Sequence, residues 1–457
     1  MLRNVSSLGI LILLGAWAPS GAAQVWRDVI VTGPQRYVRT EQLGYSYPVG
    51  SVVWVSISAA NGICAFSGTY ASGFFVSLTH FDRWAQRIHD SVNVDALKGF
   101  EGNATHGFTD GTNTCVVWWS LEGEFRARVM DTQGHAVSDT FPVNAFPPFR
   151  WYDTGAFSSD KMGVVLKETI GNYQHGDLYL RLFTREGQPL TEPVPLANTP
   201  EQSEEGSVLA PLPDGSAVMG FVRAVRPYGQ SYVYLLKINP DLSFGQPVRV
   251  SEEPANKIYV RALRDGTLFV WYRGARASVR RFSRDLEPLG PAVEADQELF
   301  FVAAADDGRF AVADRIYTGG NPPDDAWVRL FDQSWKPLGP KLKIAMPGGR
   351  PITTMVQILH PVTYDDDGTV WLAWHAYGGW PGSEKNLTQL KPFDPGDLNY
   401  DRVVNNFDID PFVLALTNPD EYKKRFPGVP YDILGDCNFD GQLNNFDIDP
   451  FVKLLAP

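Results

Sequence analysis

DGTLFVWYRGARASVRRFSRDLEPLGP, residues 265–291, holds a turn, a strand, a loop, a second strand and a second turn in that order. Asp265-Gly266 is a tight-turn dipeptide of the kind that tolerates positive φ at both central positions of a two-residue hairpin. LFVWY (268–272) is apolar and aromatic and has strand length. VRRFSRDLEPLGP (279–291) reads as a third strand, a turn and a short fourth strand.

The same unit recurs along the chain. ICAF (63–66), CVVWW (115–119), GVVL (163–166), AVMGFV (217–222), FAVA (310–313) and VWLAW (370–374) match LFVWY, at spacings averaging about 51 residues. Asn61-Gly62, Asp110-Gly111, Asp214-Gly215, Asp307-Gly308 and Asp367-Gly368 match the turn. LRLFTREGQPL (180–190) and VRLFDQSWKPLGP (328–340) match the second half, and PVRV (247–250) and KLKI (341–344) supply short fourth strands. Seven four-stranded units repeated at this period predict a seven-bladed β-propeller over residues 24–393. Unit seven runs from VWLAW to NLTQLKPF (386–393) and has no fourth strand after it. RDVIVT (27–32) is a spare strand near the start, so it is expected to complete blade seven and close the ring.

Composition agrees with an all-β body. Of 457 residues 44% are apolar, with 42 Gly, 34 Pro and 58 aromatics, which favours strands and turns over helices. The formal charge of −12 disfavours nucleic acid as a partner. Residues 1–23, MLRNVSSLGILILLGAWAPSGAA, have a basic start, an apolar run of 11 and small residues at the end, which predicts a secretory signal peptide and a secreted protein. No later stretch is long and apolar enough for a transmembrane segment.

The tail, 394–457, carries a duplicated motif: GDLNYDRVVNNFD (396–408) and GDCNFDGQLNNFD (435–447), each followed by the same IDPFV. Calcium loops take oxygen ligands at positions 1, 3, 5, 7, 9 and 12. Those are Asp397, Asn399, Asp401, the Val403 carbonyl, Asn405 and Asp408 in the first loop. In the second they are Asp436, Asn438, Asp440, the Gln442 carbonyl, Asn444 and Asp447. Two calcium ions are therefore expected. Position 6 wants glycine at the sharp turn; the second loop has Gly441 and the first Arg402, so the first loop is expected to bind more weakly. Asn418-Pro419 caps PDEYKKRF (419–426), with acids early and bases late, as the helix dipole favours. The tail holds 12 acids and 5 bases, so more than half of the chain's negative charge sits here.

Two loop–helix repeats with Asp-x-Asn-x-Asp, Asn at position 9 and Asp at 12 resemble a type I dockerin. That resemblance covers residues 394–457 only. It implies an all-α calcium-binding module that docks onto a cohesin-type partner in polysaccharide degradation. Typical members carry Ser/Thr-type residues at loop positions 10 and 11. This chain has Asn406-Phe407 and Asn445-Phe446 there, which become the expected partner-binding residues.

Propeller ligands sit on the loops between second and third strands. Those loops carry Tyr173, His175, Tyr228, Arg273, Tyr317, Tyr377 and Trp380, aromatics for stacking on sugar rings with Arg and His for polar contact. A carbohydrate-binding platform is the leading reading and a protein-binding face competes with it. The alternative class is a glycoside hydrolase or lyase with its active site in the funnel. Glu168, Glu204 and Asp314 lie near predicted funnel ends, yet no catalytic residue is fixed by spacing. YDDDGTVW (364–371) lacks the Ser and Thr of a sialidase Asp-box, and Gly-x-Ser-x-Gly and HExxH motifs are absent. Cys64 and Cys115 start neighbouring second strands and offer a disulfide only if the blades approach closely. Cys437 falls on a calcium loop, where an exposed unpaired thiol is expected.

Overall fold

The computed structural model describes residues 25–28, 37–46, 55–70, 75–82, 87–94, 105–120, 124–144, 149–158, 160–170, 175–199, 201–225, 229–294, 301–305, 308–316, 325–337, 342–343, 355–358, 363–365, 369–377, 383–391, 395–401, 403–438 and 442–455. The expected export segment, 1–23, lies outside them.

Hydrogen bonding sorts the strands into seven sheets. Six have four antiparallel strands in chain order and span 55–93, 105–142, 149–197, 202–249, 257–294 and 301–343. These are blades one to six. Each apolar run picked out by the repeat is the second strand of its blade, from Ile63–Tyr70 in blade one to Leu268–Arg273 in blade five and Phe310–Ile316 in blade six. Blade seven is built on Val370–Tyr377 and Ser383–Lys391, with Met355–Ile358 and Thr363–Tyr364 together on its inner side.

The seventh blade is closed by the N-terminus, but by a different strand from the one expected. Tyr37–Ser46 pairs along the whole of Ser383–Lys391 and takes the fourth position. Val25–Asp28, which includes the first two residues of the expected segment, pairs outside it with Val38–Glu41, and residues 29–32 lie outside the described residues. A ten-residue strand satisfies the backbone groups of its nine-residue neighbour end to end.

Apolar side chains fill the seams between neighbouring blades. Leu78 and Val76 of blade one meet Trp118 and Val116 of blade two, and Phe108 and Val117 of blade two meet Val164 and Phe183 of blade three. Leu180 meets Phe221 between blades three and four, and Val222 meets Val260 between four and five. Phe269 packs on Phe310 between five and six, and Trp371 and Leu387 of blade seven close on Phe66 and Phe81 of blade one. Alternation along each strand aims one face at each neighbour, so blades one to five are buried on both faces and their second strands read as nearly continuous apolar runs.

The turns differ from the two-residue form expected. Asn61 (φ 52°) and Gly62 (φ 79°) do both adopt positive φ. At Asp214-Gly215 and Asp265-Gly266 only the glycines do, at 83° and 77°. There the loop has three residues, closed by Leu212 N–H to Ser216 O and by Leu263 N–H to Thr267 O, both 2.8 Å. The aspartate carboxylates accept from the N–H of Ser216 (3.0 Å) and Thr267 (2.9 Å), which holds each Asp on the negative-φ side. The turn between third and fourth strands has the same form. Its left-handed residue is Gly134 in blade two and Gly187 in blade three, but Leu242, Leu286 and Trp335 in blades four to six.

The tail forms α1 (Ile409–Thr417), α2 (Pro419–Arg425), α3 (Tyr431–Leu434) and α4 (Ile448–Leu455) around its own core of Leu398, Phe412, Tyr422, Leu434 and Phe451. Asn418 caps α2 as expected, accepting from the Glu421 N–H at 3.2 Å. Phe412 of α1 and Phe451 of α4 stack face to face, with centroids 4.1 Å apart and planes within 1°. They are equivalent residues of the two repeats, so the duplication in sequence is a duplication in space. Cys64 and Cys115 are both free and buried. Cys437 is buried rather than exposed, turned in beneath its loop toward the Leu434 carbonyl, because a small apolar thiol fills the module's core.

Candidate functional site

In each tail loop the last carboxylate organises the rest. Asp408 accepts from the N–H of Asn399 (3.0 Å) through Oδ1 and of Asn405 (2.9 Å) through Oδ2. Asp447 repeats this with Asn438 (3.0 Å) and Asn444 (2.9 Å). Both aspartates are fully buried, and Asp397 nearly so. Asp397 accepts from the Asp401 N–H at 3.0 Å, and Asn399 Oδ1 from the same group at 2.8 Å, while the Asp401 carboxylate accepts from Asn399 Nδ2 and the Val403 N–H, both 2.9 Å. Among the described residues no three His, Cys, Asp or Glu side chains come together as a ready-made metal group. The position 9 amides of Asn405 and Asn444 donate to the Val403 and Gln442 carbonyls at 3.1 and 3.2 Å. Their oxygens accept from Phe407 and Phe446 N–H. Each carboxylate oxygen so held keeps a lone pair. An all-oxygen set with buried carboxylates fits a hard divalent cation.

Charge accumulates beneath these loops. Burial raises the Asp408 carboxyl, against the pull of its backbone donors, and Asp401 adds to the rise. Tyr422, whose hydroxyl donates to the Leu398 carbonyl, is raised by burial and then by Asp397, Asp408 and Asp432. The Cys437 thiol is pushed up to about 12 by burial, then Asp447 and Asp436. Tyr422 sits on a helix with no motif of its own, and only its place in the α2 apolar face marks it in the sequence. Of the expected ligands, Asp440 lies outside the described residues, as do Arg402 and Gly441 at position 6.

The residues expected to meet a partner stand outside the loops. Phe407 and Phe446 are each 78% exposed, beside Asn406 and Asn445 and the exposed Val413 and Val452. Every member of this apolar set has its twin 39 positions on, related by the stacked Phe412–Phe451 pair.

At the propeller, Tyr173, Tyr228, Tyr317 and Trp380 lie outside the described residues. His175 and Tyr377 stand at strand ends next to such loops, and Arg273 ends the second strand of blade five, opposite Lys257. Asp314 is on the second strand of blade six. A denser polar cluster joins blades three and four at the same end. Tyr179 donates to Glu168 Oε2 at 2.8 Å and accepts from Asn198 Nδ2 at 3.0 Å. Burial, then Glu168 and Asp177, push the Tyr179 phenol up to about 12. Glu204 is fully buried and takes Arg223 Nε at 3.0 Å on Oε1. Its Oε2 makes no hydrogen bond of normal geometry, although the Thr199 hydroxyl draws toward the charged form. Burial nevertheless raises this carboxyl, with Asp177 adding to the rise. Lys167 bridges to Glu205 at 2.7 Å, and Gly176 N–H donates to Ser203 Oγ at 3.1 Å, so blade three's hairpin is tied to blade four's inner strand. Glu168 and Glu204 were visible as funnel-end acids. Tyr179, Asn198, Asp177 and Arg223 were not, because their partners lie on other strands, 11 to 19 positions away in the chain.

No family model and no curated protein sequence matches the chain. Among solved structures it is similar to the Dos1 propeller, at 12% identity and a TM-score of 0.45, over 76% of this chain and 94% of that one. It is similar to a prolyl endopeptidase at 13% identity and a TM-score of 0.45, over 75% of this chain and 50% of that one. It is similar to the Penicillium chrysogenum α-L-arabinanase complexed with arabinobiose at 10% identity and a TM-score of 0.39, over 80% and 98%. Likenesses this distant bear on architecture and on nothing finer.

Proposed function

We propose that the chain is a secreted, calcium-binding modular protein, in which the propeller presents a carbohydrate ligand surface and the tail is a dockerin-like module that docks onto a cohesin-type partner. The observation that carries this reading is the paired geometry of Asp408 and Asp447, two buried carboxylates at equivalent positions of the two repeats, each pinned by two backbone N–H groups. Two Ca²⁺ would neutralise the charge gathered under the loops. The residues that would hold them are the two ligand sets from Asp397 to Asp408 and from Asp436 to Asp447. Calorimetry on the metal-free full chain tests this. Two ions are expected, one lost in Asp408→Ala and the other in Asp447→Ala, with the first loop weaker and strengthened by Arg402→Gly. Absence of calcium binding overturns the reading.

The second reading, a glycoside hydrolase or lyase, is favoured by one observation: two acids stand at the same loop end of adjacent blades, Glu204, buried and raised in pKa, in blade four and Glu168, bonded to Tyr179, in blade three. Release of reducing ends from a glycan, abolished by Glu168→Gln, would favour it. Binding without turnover favours the platform.

A further inference from the structure

We propose that His80 and His89 form a proton-operated latch on the seam between blades one and two: with both rings neutral it ties the blades together, and with both rings protonated it releases the end of that seam opposite the funnel. The proposal stands apart from the calcium and carbohydrate readings and uses none of their residues.

Every ring nitrogen of the pair is engaged. His89 Nδ1 lies 2.7 Å from the Asp90 carbonyl, His89 Nε2 lies 2.8 Å from His80 Nδ1, and His80 Nε2 lies 2.8 Å from the Thr114 hydroxyl. A carbonyl only accepts, so neutral His89 carries its proton on Nδ1 and its Nε2 accepts. His80 Nδ1 is then the donor, and His80 Nε2 accepts from Thr114. One arrangement of protons satisfies the whole chain, and that chain crosses from blade one to blade two.

One added proton fits. His80 Nε2 becomes a donor to Thr114, whose hydrogen turns to Thr109 Oγ1 at 3.0 Å, and Thr109 donates in turn to the Asn113 carbonyl at 2.8 Å. A second proton does not fit. Two protonated imidazoles set an N–H on His80 Nδ1 against an N–H on His89 Nε2 across 2.8 Å. Two like charges then stand in contact, one of them on a fully buried ring. Burial, and after it His89, lowers the pKa of His80, with Asp131 pulling the other way. The Asp131 oxygens are already taken by the N–H groups of Gln133 and His135 and by the His135 ring.

The place of the pair keeps the release local. His80 is one residue from the end of Phe75–Phe81 and Thr114 one residue into Asn113–Trp119, beside the turns that join first and second strands. Farther along the seam Val76 and Leu78 pack on Val116 and Trp118, and Arg128 Nη1 donates to the Val94 carbonyl at 2.9 Å. Neither of those ties titrates in mild acid.

Hydrogen-exchange mass spectrometry on the full chain at pH 7 and pH 4.5, with rates corrected for the intrinsic effect of pH, tests the latch. Amides of Phe75–Phe81 and Asn113–Trp119 are expected to lose protection at least about 10-fold at the lower pH, while those of Lys257–Ala262 and Leu268–Arg273 in blade five keep theirs. Cys64 packs against blade seven and Cys115 against blade three, so both thiols should stay closed to a disulfide reagent that works in acid, such as dithiodipyridine. His89→Gln keeps an acceptor for His80 Nδ1 and takes up no proton, so its seam should hold to within about 2-fold of its neutral-pH protection. His89 is half-buried, so this substitution disturbs packing less than one at His80. If protection falls alike in every blade and both thiols react, acid unfolds the ring as a whole and the latch is refuted. It is refuted too if the wild-type seam keeps its protection at pH 4.5, or if His89→Gln opens as the wild type does.

Discussion

Leu286 holds a backbone conformation that an L-residue avoids, with φ at 68°. Left-handed geometry costs a side-chain-bearing residue about 1–2 kcal/mol. What offsets it is burial: the side chain is 5% exposed and packs in the seam of blades four and five. Trp335 uses the same device, packing edge-to-face with Phe310 and Phe331 while its Nε1 donates to the Val293 carbonyl at 2.8 Å. Leu286→Gly should therefore destabilise, despite placing the preferred residue at a left-handed position. Removing a buried leucine costs about 3 kcal/mol and the relieved strain returns about 1, for a net loss of about 2 kcal/mol. Urea unfolding measures this, and an unchanged or raised midpoint would contradict it. Such positions are illegible in sequence. Gly134 and Gly187 announce their turns, whereas Leu286 looks like any apolar residue until the packing that holds it is known.

The third strand of blade one, Phe75–Phe81, carries a buried histidine, His80, that meets the half-buried His89 beyond the strand. His80 Nδ1 lies 2.8 Å from His89 Nε2, and His80 Nε2 lies 2.8 Å from the Thr114 hydroxyl of blade two. His80 is fully buried, and its pKa is lowered to about 4 by burial and then by His89, with Asp131 pulling weakly the other way. A Cβ on Gly134, in the turn of blade two, would meet the His89 ring at 2.9 Å, so the pair is clamped between blades. The unfolded chain binds a proton here below about pH 6.5 and the folded chain does not until about pH 4. Stability is then complete above pH 6.5 and declines as pH falls toward 4, by about 3 kcal/mol from this group. Unfolding curves at pH 7 and pH 4.5 should show the loss, and His80→Gln should flatten it. An equally steep profile in the variant would refute the assignment. Nothing in the spacing of seven scattered histidines points to this pair, because His80 meets its blade-two partner only through the fold. The strands themselves were legible, since each second strand is an apolar run and six of the seven follow a turn dipeptide. The calcium loops were legible for the opposite reason, as every ligand lies within one short segment.

At the scale of the molecule, the ring depends on a strand from its far end. Deleting residues 1–46 would leave Ser383–Lys391 as an open edge nine residues long, with its backbone groups unpaired. That truncation should lose cooperative unfolding and self-associate on gel filtration, whereas deleting residues 394–457 should leave a monomeric propeller with its unfolding transition intact. A soluble, cooperative propeller lacking residues 1–46 would show that closure is dispensable. The count of seven blades and the need for closure were both readable, because a missing strand at one end and a spare at the other form one pattern. Which spare strand closes was not readable. Two candidates stand close together near the N-terminus, and which of them lies against Ser383–Lys391 is a property of the pairing rather than of either segment.

The closure also sets a timetable. Residues 37–46 emerge early from synthesis, yet their partners are residues 383–391. Joining ends so far apart costs about 5 kcal/mol in loop entropy, a term that must be met before the paired strands return any stabilisation. Blades one to six can assemble from neighbours as the chain appears. Tyr37–Ser46 can pair early with Val25–Asp28, but its other edge has to wait, open, until the last blade exists. Refolding should accordingly end in a slow step that belongs to the seventh blade alone.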